Sequence, residues 1–446
     1  MHNWEADKGE RLSWWRDAKF GLFIHWGLYA VPAGFWNGRV VPGASEWLMH
    51  TEKIPVKDYE KLTERFNPIK FDPDDWAQKA RSFGAKYVVI TAKHHDGFCL
   101  FDSEFTNYSV VKATPFGRDI IGELSKAVKK QGLKMGFYYS QTLDWHHPDG
   151  MGNDWDQNPK EKDFEDYFQA YSVPQVGELI EKYDPDLIWF DIFTPTYEMA
   201  RYLREYVYRK KPSLVVNGRI DPPTIGWIKG FGTAFGDYAS VGDNEIPPDK
   251  LNYDWEVPMT HNDSWGFKSS DQNWKSAGKI VQTLVTVVSR GGNLLFNVGP
   301  TPEGEMPGPS VEALSEVGNW LKVNGESVYG TRPASQSGLG NPPYPITESD
   351  SAFYAHLFGW PWTASVELTG IRARRVRELS TGQNLEFIQN EDRILIRLPL
   401  GLTRGYDTVL ALEKRVASEP FTATPKGLRS DKNKLHSAKF AGGQYT

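Results

Sequence analysis

Short apolar runs alternate with amphipathic segments through the first 330 residues of the chain. The runs have the length of strands, and the segments between them repeat apolar positions at helical spacing, as at Ile120, Ile121, Leu124 and Val128. Such alternation is typical of parallel βα units. It predicts eight strands: Phe20–Tyr29, Tyr87–His94, Lys134–Ser140, Asp186–Asp191, Ser213–Arg219, Gly236–Ser240, Tyr253–His261 and Gly291–Pro300.

Eight strands with intervening helices predict an α/β fold, a TIM-like (β/α)8 barrel, in preference to a doubly wound sheet. In such barrels the functional groups lie at the C-terminal ends of the strands. Polar residues of this sequence gather at those ends, among them His25, His94, Asp191 and Arg219. Because core packing gives no reason for this regularity, we expect a functional site there.

From about Thr331 the pattern changes to alternating apolar residues separated by turns. This predicts a small C-terminal antiparallel β-sandwich domain. We expect the barrel to span residues 1–330, the sandwich 331–418 and a polar, disordered tail 419–446. The strands predicted for the sandwich are Ser351–Leu357, Ala364–Leu368, Leu385–Ile388, Arg393–Leu398 and Thr408–Leu412.

Composition and charge exclude several classes of function. The formal net charge of -6 offers no basic surface to nucleic acid or to an anionic membrane, and no apolar run approaches the roughly 20 residues of a membrane helix. Cys99 is the only cysteine, which rules out a disulfide framework and a thiolate metal cluster. With no leader-like start, we expect a cytoplasmic protein in preference to a secreted one that has lost its leader.

Aromatic residues make up 14% of the chain, which fits either a carbohydrate site or a large aromatic core. Exposed aromatic side chains would also be compatible with a homo-oligomer.

Asp191 ends the apolar run Leu187 to Phe190, so it leaves a buried strand at the rim of the predicted barrel. A carboxylate at such a place is costly unless it is hydrogen-bonded or used in chemistry. Asp191 is therefore either a catalytic group or a structural cap.

Six motifs carry a resemblance to a known family. The chain resembles glycoside hydrolase family twenty-nine, the α-L-fucosidases, over roughly residues 12 to 330. The motifs are WRDAKFGLFIHWG at 15–27, EW at 46–47, AKHHDGFCL at 92–100, WFD at 189–191, SWGF at 264–267 and SRGGNLLFNVGP at 289–300.

The resemblance implies a retaining exo-α-L-fucosidase that needs neither cofactor nor metal and acts on fucosylated glycans. It implies that Asp191 is the nucleophile and forms a fucosyl-enzyme intermediate. The positions that match the sugar-binding residues of the family are His25, Glu46, Trp47, His94, His95, Tyr138, Trp189, Arg219 and Trp265.

The chain departs from the family pattern directly after the nucleophile, where Ile192 stands in place of a frequent glycine. A β-branched residue restricts the backbone, so we expect a different path for the following loop and a changed leaving-group site.

The acid/base residue is the second departure, because SVGDNEIP at 240–247 replaces the usual Thr-Pro-Glu pattern. Counting back from Ile246 and Pro247 makes Asp243 the first candidate and Glu245 the second. Asp237 and Glu256 are the remaining alternatives. Whichever carboxyl is the acid/base must be protonated at the working pH, so we expect an apolar wall or the nearby Asp191 to raise its pKa.

Three other interpretations compete with this one. His94 and His95 could ligate a metal, but adjacent residues of a strand point to opposite sides, which disfavours both binding one ion unless the strand end is bulged. One histidine of the pair could also have a structural role. The chain could also be a fucose-binding protein without turnover, or a related barrel glycosidase that acts on another sugar.

Overall fold

The computed structural model describes residues 7–223, 233–334 and 344–414, apart from residues 360, 362, 392, 400, 403 and 404. The tail predicted at 419–446 lies outside this part. The strands of the described residues are β1 (Phe20–Ile24), β2 (Phe35–Trp36), β3 (Arg39–Val40), β4 (Tyr87–Lys93), β5 (Lys134–Tyr139), β6 (Leu187–Phe190), β7 (Val215–Val216), β8 (Ala239–Ser240), β9 (Trp255–Met259), β10 (Gly292–Val298), β11 (Arg332–Pro333), β12 (Ile346–Glu348), β13 (Ala352–Leu357), β14 (Ser365–Thr369), β15 (Arg375–Glu378), β16 (Phe387–Gln389), β17 (Arg393–Arg397) and β18 (Thr408–Glu413).

The α-helices of the same part fall mainly between the strands of the barrel. They are Lys8–Arg11, Ser13–Ala18, Leu48–Thr51, Val56–Tyr59, Pro73–Ser82, Val110–Ala113, Ile120–Lys130, Phe164–Asp166, Val173–Tyr183, Tyr197–Lys210, Ala277–Ser289 and Gly308–Asn324. Side-chain caps begin several of them. Asp72, for example, accepts hydrogen bonds from the backbone N–H groups of Asp74 and Asp75 at the start of Pro73–Ser82. None of these helices is long and apolar enough to cross a lipid bilayer.

The barrel sheet contains all eight predicted strands, in the order β7-β6-β5-β4-β1-β10-β9-β8 and with parallel pairing throughout. Its two edge strands meet at an isolated parallel bridge between Asn217 and Tyr238. The backbone N–H of Asp237 also donates to the carbonyl of Val216 at 2.7 Å. The predicted TIM-like barrel is therefore confirmed, with β7 and β8 much shorter than expected.

Side chains of the barrel strands alternate between two cores, as the period of two requires. Phe23, Val89, Tyr138 and Trp189 belong to the core inside the barrel. Their neighbours in sequence, among them Leu22, Val88, Phe137 and Ile188, belong to the core between the strands and the helices. The inward set fixes which side chains can reach the mouth of the barrel.

The C-terminal region forms two antiparallel sheets, ordered β11-β12-β13-β18-β15 and β14-β17-β16. Phe353 and Leu410 of the first sheet share one apolar core with Val366 and Ile394 of the second, which makes this region the sandwich that the sequence predicts. Strands β11, β12 and β15 were not predicted. Each has two to four residues, and β15 carries a single apolar side chain, Val376, so the apolar pattern is too short to detect.

Candidate active site

A small pocket, with a cavity volume of about 70 Å³, lies at the C-terminal ends of the barrel strands. Among the predicted site residues, only the acid/base alternatives Glu245, Asp237 and Glu256 are not in its lining. Ile192, which the sequence analysis singled out beside the nucleophile, also lines it, as does Phe23, which was missed. The full lining is Phe23, His25, Glu46, Trp47, His94, His95, Tyr138, Trp189, Asp191, Ile192, Arg219, Asp243 and Trp265.

Asp191 follows β6 directly and is nearly buried, with 8% of its surface exposed. Tyr138 Oη donates to its Oδ2 at 2.6 Å, and Arg219 Nη1 donates to its Oδ1 at 2.7 Å. The backbone N–H of Ile192 donates to the same Oδ1 at 2.7 Å. Three donors therefore hold the carboxylate in one orientation at the inner end of the pocket.

The electrostatic surroundings keep Asp191 ionised. Burial by itself raises the pKa of its carboxyl group, but the charge of Arg219, the nearby His95 and the hydrogen bond from Tyr138 outweigh burial, so the net pKa lies below the ordinary value. An ionised, oriented carboxylate in a pocket is the state that a nucleophile requires.

Arg219 contacts both candidate catalytic carboxylates. Its Nη1 binds Asp191, while Nη2 forms an ion pair with Oδ1 of Asp243. Asp243 lies at the mouth with 43% of its side chain exposed. The group that contacts the Asp243 carboxylate is thus a guanidinium, and not the apolar wall that was expected beside the acid/base carboxyl.

The three alternatives to Asp243 do not line the pocket. Glu245 is exposed to solvent two residues further along the loop. Asp237 is buried and bound to Arg11 at 2.6 Å, and it also accepts from Tyr208. Glu256 is fully buried and accepts hydrogen bonds from Tyr87, Tyr238 and Nε1 of Trp189, which gives it a structural role beneath the pocket.

Both His94 and His95 line the pocket, although adjacent residues of a regular strand would point to opposite sides. Strand β4 ends at Lys93, and its pairing with β5 is irregular between Thr91 and Lys93. The two histidines therefore follow the strand, where the alternation of side chains no longer applies.

The pocket histidines are neutral. Burial lowers the pKa of His25 to about 3 and that of His95 to about 4, and it lowers the pKa of His94 well below its ordinary value. Nδ1 of His25 lies 2.7 Å from Oδ1 of Asn297, and the side-chain amide nitrogen of Asn297 donates to the carbonyl of Trp265. His25 Nδ1 therefore carries the proton, which leaves Nε2 as an acceptor.

Two buried polar atoms in the pocket wall have no hydrogen-bond partner among the described residues, Oε1 of Glu46 and Nδ1 of His94. The other oxygen of Glu46 accepts from the backbone N–H of Gly266 at 2.9 Å. Burial raises the pKa of Glu46 to about 7. Unpaired buried polar atoms are uncommon in folded proteins, and here they indicate that a polar ligand completes the site.

Aromatic rings supply the apolar part of the wall. The indole of Trp265 lies 5.0 Å from the His25 ring, and Phe23 lies 5.1 Å from Trp189, measured between ring centroids. Nε1 of Trp189 donates to Glu256 at 2.9 Å, which fixes the plane of the indole. A pocket that joins such rings to hydrogen-bonding groups suits a ligand with one hydroxylated and one C–H side.

A metal ion is the alternative ligand at this place. One ligand atom from each of His94, His95 and Asp191 falls within 4.8 Å of the others. The guanidinium of Arg219, however, binds the same Asp191 carboxylate at 2.7 Å and repels a cation. The charges therefore favour the expectation of a site that works without metal.

Ile192 adopts φ of 62°, in the left-handed region that glycine enters freely and β-branched residues rarely enter. The backbone after Asp191 thus adopts a conformation suited to glycine.

Comparison with known proteins gives a consistent result. The family model described as Alpha-L-fucosidase matches residues 1–326. An α-L-fucosidase of Dictyostelium discoideum is 34% identical over 376 residues, which is 78% of each chain.

Solved structures of α-L-fucosidases are also similar to this chain. α-L-Fucosidase isoenzyme 1 from Paenibacillus thiaminolyticus superposes with a TM-score of 0.80 at 33% identity, covering 91% of this chain and 99% of that one. A GH29 α-L-fucosidase from Bacteroides thetaiotaomicron, a trapped covalent intermediate in complex with 2-fluoro-fucosyl fluoride, has a TM-score of 0.82 at 29% identity, covering 91% and 96%.

Proposed function

Because the chain belongs to the α-L-fucosidase family, we propose that it is a retaining exo-enzyme that removes terminal α-L-fucosyl residues from fucosylated glycans by double displacement. The observation that carries this proposal is Asp191, ionised and held by three donors at the inner end of a small pocket.

In the first step Asp191 attacks the anomeric carbon, and the bond to the leaving-group oxygen breaks as that oxygen receives a proton. The product is a β-fucosyl ester of Asp191. In the second step water attacks the same carbon, loses its proton to the acid/base group and releases α-L-fucose with the carboxylate restored. The covalent intermediate trapped in the Bacteroides relative supports this scheme.

Asp243 is the proposed acid/base. It lines the pocket with Asp191, whereas Glu245, the second choice, does not. One guanidinium touches both Asp191 and Asp243, an arrangement compatible with the ~5–5.5 Å separation of a retaining pair. In this proposal the arriving leaving group separates Asp243 from Arg219, and the freed carboxyl takes up the proton that it later donates.

The remaining pocket residues bind the sugar. Neutral imidazoles of His25, His94 and His95 and the unpaired oxygen of Glu46 bind hydroxyl groups in fixed directions. Trp47 lies beside this polar side of the pocket, and the rings of Phe23, Trp189 and Trp265 face the C–H side and the C6 methyl group.

Hydrolysis of 4-nitrophenyl α-L-fucoside by wild type and by Asp191→Gly, Asp243→Gly and Glu245→Gly tests the assignment. We expect Asp191→Gly to be inactive and azide to restore turnover with a β-fucosyl azide product. Azide should rescue Asp243→Gly with an α-fucosyl azide product, while Glu245→Gly keeps wild-type turnover. Asp243→Gly and Glu245→Gly each remove one carboxyl group from the same loop, so each is the matched control for the other.

Other outcomes would point to the competing functions. A wild type that binds fucose without turning over the activated substrate would be a fucose-binding protein. A wild type that neither binds fucose nor hydrolyses the fucoside would be a glycosidase of another specificity, and a panel of aryl glycosides would identify its sugar.

A further inference from the structure

Ile192 differs in chemistry from the rest of the pocket. Within the described lining it is the one aliphatic side chain, among aromatic, imidazole and charged groups. Its φ of 62° costs about 1–2 kcal/mol for an L-residue with a Cβ. A strained residue persists only where the surrounding structure holds it in place.

Hydrogen bonds fix the backbone on both sides of Ile192. Its N–H donates to Oδ1 of Asp191 at 2.7 Å. The next carbonyl, of Phe193, accepts from Thr142 Oγ1 at 2.5 Å, and the N–H of Thr194 donates to the carbonyl of Asp221 at 3.2 Å. The direction of the Ile192 side chain is therefore set by the backbone that carries the nucleophile.

A gradient of exposure places Ile192 at the mouth. The groups at the inner end, such as His94 and Tyr138, are buried, whereas Ile192 is half-buried and Asp243 is 43% exposed. A fucosyl unit whose anomeric carbon faces Asp191 directs its leaving group outward, past Ile192 and Asp243.

We propose that Ile192 is a specificity-determining residue, whose branched side chain packs against the C–H face of a hexopyranose leaving group beside the scissile bond. This inference rests on the proposed fucosidase activity. The leaving group thus lies between an aliphatic wall on one side and the carboxyl of Asp243 on the other. Because Ile192 is joined to Asp191 through one peptide unit, this wall has a fixed position relative to the nucleophile.

Kinetics with two kinds of leaving group test the proposal. The quantity measured is the ratio of kcat/KM for a fucosyl-α-1,2-galactoside to kcat/KM for α-L-fucosyl fluoride, whose leaving atom is too small to reach the wall. We expect this ratio to fall about ten-fold in Ile192→Gly and in Ile192→Asn, and about three-fold in Ile192→Val, which loses one methylene group.

The three variants separate contact from strain. Gly and Asn both tolerate the left-handed backbone, and Asn keeps a side chain of similar reach without its apolar surface, whereas Val keeps the strain. A ratio that stays at the wild-type value, or rises, in both Ile192→Gly and Ile192→Asn would overturn the proposal. A wild type inactive on α-L-fucosyl fluoride would instead overturn the fucosidase assignment, so the two failures are distinguishable.

Discussion

Replacing Arg219 by methionine should move the acid limb of the pH profile upward. The limb of kcat/KM at low pH reports ionisation of the nucleophile in the free enzyme. Burial raises the pKa of Asp191, and Arg219, 2.7 Å away, is the largest influence that lowers it. Without the guanidinium the burial effect prevails, so the carboxylate forms only at higher pH.

The expected shift follows from the contact distance. An opposite charge within ~4–6 Å lowers the pKa of a carboxyl by roughly 1–3 units, so the acid limb should rise by about that amount in Arg219→Met. α-L-Fucosyl fluoride is the suitable substrate, because fluoride departs with little help from a general acid and the limb then reports Asp191 alone.

Arg219→Lys is the matched control. Lysine retains the positive charge while losing the paired geometry of the guanidinium, so its limb should stay near that of the wild type although kcat/KM falls. If the limbs of Arg219→Met and Arg219→Lys coincide, the charge of Arg219 does not control Asp191, and this part of the account is refuted.

Three further predictions concern stability. Burial raises the pKa of Glu46 to about 7, above the value near 4.5 of the unfolded chain. The wild type should therefore lose up to about 3 kcal/mol of its free energy of unfolding as the pH rises from 4.5 through 7. The melting temperature of Glu46→Gln should depend less on pH over that range. His356 and Asp407 form a fully buried pair at 2.6 Å. His356→Leu should therefore lower the free energy of unfolding in urea by about 3–5 kcal/mol, because it leaves Asp407 buried without its partner, and replacing both residues by leucine should lower it by less. Equal losses in the two variants would contradict this. Ile192→Asn should raise that free energy by about 1 kcal/mol, because asparagine tolerates the left-handed backbone, and a lower melting temperature would show that the strain is absent.

The barrel could be predicted from the sequence because its strands are apolar and regularly spaced. Every residue of β4, for example, is buried, and its run of Val88, Val89 and Ile90 is typical of a strand covered on both faces. The short strands β7 and β8 were predicted too long, because a 3-10 helix at Gly218–Ile220 follows β7 closely and β8 begins only at Ala239.

Residues at the ends of apolar runs made much of the site predictable. Asp191 and Arg219 both follow barrel strands directly or within three residues. Phe23 was missed although it lies two residues before His25, on the same inward face, which the period of two could have revealed.

The contacts that decide the chemistry could not be predicted in this way. Arg219 and Asp243 are 24 residues apart, and nothing in the local pattern indicates that one guanidinium joins Asp243 to Asp191. Lys93 is a second example. Its ammonium group is fully buried against Asp144 at 2.9 Å, a pairing that depends on the path of a loop 51 residues away.

The stereochemistry of the first-formed product tests the central claim most directly. Proton NMR during wild-type hydrolysis of 4-nitrophenyl α-L-fucoside resolves the two anomers of fucose before they interconvert. Double displacement through Asp191 predicts that α-L-fucose appears first and that the β anomer follows by mutarotation. If β-L-fucose appears first, water attacks the sugar directly, and the account of Asp191 as a nucleophile is contradicted.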